Sequence, residues 1–215
     1  MKKKLVHNPQ ATNDALSILR SGENFNFYVI FLLVLVLFIY FSEIKKKNWN
    51  AIAAGLALYM VHWLAEIINA LWQPLTGHAL WTIPTGTAFL ILIGVGIELS
   101  LMFSIAGLAV SRLLPDDPNE KIMGLPNKIG RIGVALGNAA LASIIEIFLV
   151  MTPTFVWVWE YWNALTVFIF VYIPFFFAAV YAYYWKPKNQ KIFIGTLALV
   201  NVILLIIFAG ILQII

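Results

Sequence analysis

The chain has 215 residues, of which 62% are apolar and only 11% charged, and its mean hydropathy is +0.89. A soluble globular domain carries about 25% charged residues, so this chain has too little polar surface for a water-soluble shape, and its length suits one compact membrane domain. The absence of cysteine excludes disulfides, thiol nucleophiles, haem thiolate ligation and iron–sulfur clusters, and the net charge of +4 comes from basic residues at membrane edges, which gives no nucleic-acid signal.

Residues 1–22 form a polar N-terminal tail, read as solvated or interfacial and partly helical from about Asn13. Residues 23–215 form a single transmembrane domain. No small-residue cleavage pattern follows the first apolar run near Phe27, so that run reads as a retained span. A span needs roughly 20 mostly apolar residues, and only helices or closed barrels satisfy their backbone in hydrocarbon. The runs are too long for barrel strands. The expected fold is therefore all-α, a polytopic integral membrane bundle of about six helices, at 26–43, 51–72, 84–112, 132–151, 156–185 and 191–214. Pro174 lies inside the fifth and should kink it, and the Pro-, Asp- and Gly-rich stretch 114–128 reads as an ordered turn.

Basic residues alternate between loops. Lys45–Lys47, then Arg112, Lys121, Lys128 and Arg131, then Lys186, Lys188 and Lys191 mark every second loop, whereas Gln73–Leu80, Thr152–Phe155 and the C-terminus carry none. The positive-inside rule places the basic loops in the cytoplasm and both termini outside. Lys2–Lys4 and Arg20 in the tail run against that assignment. The pattern W-x-x-E-x-x-N-A-L occurs twice, at Trp63–Leu71 and Trp157–Leu165, and would suit an inverted three-plus-three repeat or local convergence.

The polar residues inside the spans carry the functional signal. Of ten acidic residues, Asp14, Glu23, Glu43, Asp116, Asp117 and Glu120 lie in the tail or at loop edges, while Glu66, Glu98, Glu146 and Glu160 fall within expected spans with no deep Lys or Arg beside them. An ionised carboxylate there costs about 2.5–3.5 kcal/mol on the lenient insertion scale. It must stay protonated, bind a metal or face a water-filled cavity. His62, Glu66 and Asn69 share one face of the second span at i, i+4 and i+7. Glu160 and Asn163 pair at i, i+3, and Asn138 and Glu146 lie two turns apart. Depth along the spans lets His62, Glu66, Glu98, Glu146 and Glu160 line one cavity as catalytic groups, with Asn69, Asn138, Asn163, Trp63 and Trp159 as substrate-binding groups. The aromatic zone of Trp63, Trp72, Trp81, Trp157, Trp159, Tyr161 and Trp162 reads as an interfacial belt or as pocket walls that stabilise positive charge.

His62-x-x-x-Glu66, Glu98 on the next span, and Asn163-Ala164-Leu165 followed by Pro174 resemble the emopamil-binding protein family, which contains sterol isomerases. That resemblance implies proton transfer by His62, Glu66 and Glu98 and a sterol pocket lined by Asn163. Thr166 stands where the family pattern has Trp, Glu146 and Glu160 have no family counterpart, and a sixth span is present where the family usually has five.

The leading expectation is an intramembrane enzyme working on an isoprenoid or sterol-like lipid by buried Glu/His acid–base chemistry, with membrane lipids and a lipid-soluble small molecule as partners and no required cofactor. The alternatives are a metal-dependent membrane oxidoreductase or hydrolase holding iron, manganese or zinc in a cage of His62, Glu66, Glu98, Glu146 and Glu160, a proton- or cation-coupled transporter, and a structural subunit of a membrane complex. No central Lys suits a retinal Schiff base, no second buried His suits a bis-His haem, and no phosphate-binding loop occurs.

Overall fold

The computed structural model describes residues 8–215, so Lys2–Lys4 and His7 lie outside the described residues. Among the described residues, five helices are long and apolar enough to cross a membrane: α2 (Tyr28–Lys45), α3 (Trp49–Thr76), α5 (Asn127–Val150), the run Ala164–Tyr184 and the run Pro187–Ile211. Ala164–Tyr184 contains α6 (Ala164–Val167), a π-helical turn (Phe168–Tyr172) and α7 (Ile173–Tyr184), and the last run contains α8 (Pro187–Leu205) and a second π turn. α4 (Ile97–Ser111) is the sixth apolar helix. At 1.5 Å per residue it spans roughly 22 Å, short of the ~30 Å hydrocarbon core.

α3 is the axis of the bundle, packing on α2, α4, α7 and α8, and α5 joins through α7. Two glycines allow the closest approach: a Cβ on Gly107 of α4 would lie 2.8 Å from the Gly55 Cα of α3 and would also strike the Ala54 carbonyl. Long apolar faces of α2 and α8, including Phe31, Phe38, Leu199 and Ile203, point outward, as a hydrocarbon solvent demands. Polar side chains on these helices are used for packing: Asn201 of α8 donates to the Met60 carbonyl at 2.9 Å, and Gln190 donates to the Ala182 carbonyl at 2.9 Å.

The basic loops gather at one end. There Glu43, at the loop edge where the sequence puts it, is buried because it pairs with Arg112 and with Lys46 at 3.2 Å and accepts from Asn48 at 3.0 Å. The turn expected within 114–128 is ordered: Ile122 and Leu125 bridge across Met123 and Gly124, both at positive φ.

The opposite end departs most from the sequence expectation. The third span, expected over 84–112, is helical only from Ile97. Before it come β1 (Trp81–Thr82), β2 (Leu90–Leu92) and β3 (Val95–Gly96), with β2 and β3 paired antiparallel. The fifth span, expected from 156, is helical only from Ala164, and β4 (Val156–Trp157) pairs antiparallel with β1. Pro84, the left-handed Gly86 and the crowded Gly94 and Gly96 break a run whose apolarity alone suits a helix. The two non-helical segments form a cap, and irregular backbone at such depth persists because protein covers it. The Leu80 carbonyl accepts from Val158 and Trp159, and Ile83 donates to the Ile93 carbonyl.

The N-terminal tail packs against this end. Its helix α1 starts at Pro9, capped by Asn8, and ends at Ile18, and it docks on the cap with Ala11, Thr12 and Ala15 buried. Thr12 accepts from the Ala79 amide, and Arg20 reaches the carbonyl of Ile91 and the main-chain oxygen of Ile215. Residues 8–22 thus belong to the same folded unit as the bundle. The two W-x-x-E-x-x-N-A-L stretches do not share a structure: Trp63–Leu71 is helical within α3, while Trp157–Asn163 is cap loop.

Candidate active site

α3 places His62 and Glu66 one turn apart, both buried, with His62 Nε2 3.7 Å from Glu66 Oε1. The His62 ring stacks on Phe103 at 4.4 Å between centroids and meets the edge of Phe175 at 5.8 Å. Neither ring nitrogen has a hydrogen-bond partner, nor does Glu66 Oε2. Glu66 Oε1 accepts from the Trp81 indole at 3.3 Å. Buried polar atoms are nearly always paired, and these three sit one helical turn apart on side chains that line one space.

Glu146 reaches the same space from α5. It accepts from the Trp157 indole at 2.5 Å and from the Tyr172 hydroxyl. Tyr172 ends the π turn that precedes Pro174. Ile173 donates to Phe168 five residues back, widening the helix ahead of the proline, where a kink was expected. Sequence reasoning did not single out Tyr172. Its signal was modest, as the one polar side chain in the apolar run Phe168–Phe177.

These groups open on a cavity of about 300 Å³ between α3, α4, α5 and α7. Its polar wall comprises His62, Glu66, Trp81, Asn138, Glu146 and Tyr172, and the remainder is apolar, with Phe103, Trp162, Val171 and Phe176 among the lining residues. Trp81 stacks on Trp162 at 5.2 Å, closing the cavity beneath the cap.

The other expected site residues lie elsewhere. Glu98 sits in the first turn of α4, where it accepts from Thr87 at 2.6 Å, from the Ala88 amide at 2.7 Å and from Tyr28. It ties α2 and the cap to α4. Glu160 is exposed in the cap loop, because the helix that was to carry it inward starts four residues later. Asn163 is the N-cap of α6, accepting from the amides of Leu165 and Thr166, and Thr166 completes a capping box. Asn69 is buried and its amide is spent on the backbone of Leu80 and Trp81. Asn138 lines the cavity while donating to the Val134 carbonyl at 2.8 Å. Trp63 packs edge-on against Tyr59, and Trp159 packs with Trp72, Tyr161 and Trp162 in the cap. The five-residue metal cage is therefore not assembled: Glu98 and Glu160 are held apart from it, and among the described residues no three His, Asp or Glu side chains converge as metal ligands. The site implied by the family resemblance is likewise divided, since His62 and Glu66 line the cavity and Glu98 and Asn163 do not.

A family model described as "Uncharacterized membrane protein family" matches residues 9–210. The chain belongs to that family. It is also similar to an "Uncharacterized protein" of Archaeoglobus fulgidus, 43% identical over 210 residues that cover 95% of this chain and 98% of that one. No solved structure matches the chain. Membership accords with the helical bundle and its outward apolar faces: this is an integral membrane protein.

Proposed function

We propose that this family member is an intramembrane enzyme that shifts a double bond in an isoprenoid-type lipid by proton addition and removal. The observation that carries the reading is the pairing of unpartnered His62 and Glu66 atoms with an otherwise apolar cavity. Glu66, bearing its proton, adds it to one alkene carbon. The resulting carbocation loses a proton from a neighbouring carbon to His62, and the proton returns from His62 to Glu66 across the 3.7 Å between them. One proton enters and one leaves, so no redox partner or cofactor is needed. The faces of Phe103, Tyr172 and Trp162 flank the cation. Glu146, held by Trp157 and Tyr172, presents its carboxyl oxygens on the other wall, where their partial negative charge faces the cation.

The same reading places the basic loops in the cytoplasm and the cap, α1 and the C-terminus on the outer side. The test is deuterium exchange. Purified protein is first equilibrated for days in heavy water, so that Glu66 enters the first turnover carrying deuterium; it is then supplied in lipid vesicles with its co-purifying lipids, and carbon-bound deuterium is read by mass spectrometry. Incorporation by the native chain and its loss in Glu66→Gln, which keeps shape but not the acid, is the expected result. A native chain that incorporates none sinks the reading.

A further inference from the structure

The cavity has a side opening. α4 packs on α2, α3 and α7, and α5 packs on α6, α7 and the π turn, but α4 and α5 hardly touch. Four residues that line the cavity are also exposed on the surface of the bundle: Met102 and Ala109 from α4, Leu141 and Ile145 from α5. The surface around this mouth is apolar, with Ile144 and Phe148 of α5 exposed beside it. It therefore faces hydrocarbon. On the cap side Trp81, Phe155 and Trp162 are buried and close the route to water.

We propose that the cleft between α4 and α5 is a lateral portal that admits a linear aliphatic or isoprenoid chain end first, so that the protein acts at the terminus of a long lipid whose remainder stays in the bilayer. This deepens the acid–base reading by naming its substrate class, and rests on taking the cavity as the working site. Two features argue for a linear chain. The cavity of about 300 Å³ lies at the lower limit of pockets that enclose whole drug-sized ligands, about 300–1,000 Å³, which favours a slender chain over a rigid multi-ring lipid. Ala106 and Ala109 of α4 and Ala142 of α5 line the cavity beside the exposed Met102, Leu141 and Ile145, and these small side chains leave a gap between the two helices. The inner wall offers no Lys or Arg to a charged headgroup, so the part that enters is apolar. His62 and Glu66 Oε2 await it there without partners.

The test reads occupancy rather than turnover. Hexadecanol carrying a terminal diazirine is photolysed with the full-length protein in detergent–lipid micelles, and labelled residues are mapped by mass spectrometry. The native chain is expected to be labelled inside the cavity, on Phe103, Val171 or Phe175, as well as on the outward-facing Phe148. Ala142→Phe and Ala106→Phe, which plug the gap, should abolish the interior label and leave Phe148 labelled, which also reports that the variants fold. Ala142→Ser should keep the interior label. Absence of interior label in the native chain, interior label that survives both plugs, or equal interior labelling by a diazirine sterol would each overturn the proposal. Interior labelling without deuterium exchange would instead leave the portal standing and remove the acid–base chemistry.

Discussion

Trp81 and Trp157 stand opposite each other in the short antiparallel pairing of β1 with β4, and each indole donates to a different buried carboxylate, Trp81 to Glu66 and Trp157 to Glu146. Directly opposed residues of an antiparallel pair project to the same face. One two-residue pairing between loops distant in sequence therefore sets both acids of the cavity. The cap is part of the site, and its correct closure is a condition for the carboxylates to be held.

Removing either indole N–H while keeping an aromatic ring measures this. Trp81→Phe and Trp157→Phe should each destabilise by about 1–3 kcal/mol, the cost of leaving a buried acceptor unpaired. Trp81→Phe should cost more, because Glu146 keeps the Tyr172 hydroxyl. Denaturation midpoints in detergent micelles check the ranking, and unchanged midpoints in both variants would remove the cap from the site's support.

Gly94 is the second point of contact between cap and acids. A Cβ there would come within 2.7 Å of Glu66 Oε2, the Trp81 indole nitrogen and the Asn69 amide. Gly94→Ala should thus push the β2–β3 segment off α3 and cost about 1–3 kcal/mol through overpacking. Gly137 of α5 has open space around its Cβ position, so Gly137→Ala should be neutral or stabilising by up to about 1 kcal/mol. Equal effects of the two substitutions would argue against the close fit at Gly94.

The sequence made the bundle legible because hydrocarbon forces long apolar runs into helices. α2 and α3 lie close to their expected limits, α5 starts earlier, at Asn127 instead of 132, and the last run covers Pro187–Ile211 instead of 191–214, with α8 itself ending at Leu205. It also showed that Glu66 and His62 share a face, since helical spacing within one span is local information. It misplaced Glu98 and Glu160 because their depth was counted along helices that do not extend that far. Apolarity alone does not separate a span from a buried cap segment, and the glycines and Pro84 that mark the difference are too few to outweigh it. Tyr172 was missed for the opposite reason: its role depends on a contact with another helix that no spacing reveals.

Asn163 separates a structural role from a binding one. As the N-cap of α6, its replacement in Asn163→Ala should cost about 1 kcal/mol, and Asn163→Asp, which keeps a capping oxygen, should restore most of it. Lipid exchange activity per folded molecule should be unchanged in both. Loss of activity with retained stability would return Asn163 to the cavity as a ligand-binding residue.

The orientation of the bundle can be tested cleanly because the chain has no native cysteine. Lys188 lies at the basic end and Glu160 in the cap, and both are exposed. Under the positive-inside assignment, a membrane-impermeant maleimide applied to intact cells should label Glu160→Cys and spare Lys188→Cys until the cells are opened. The reverse pattern would put the cap in the cytoplasm. It would also mean that the basic residues at the other end, including Arg112 in its pair with Glu43, are kept for packing rather than for setting topology.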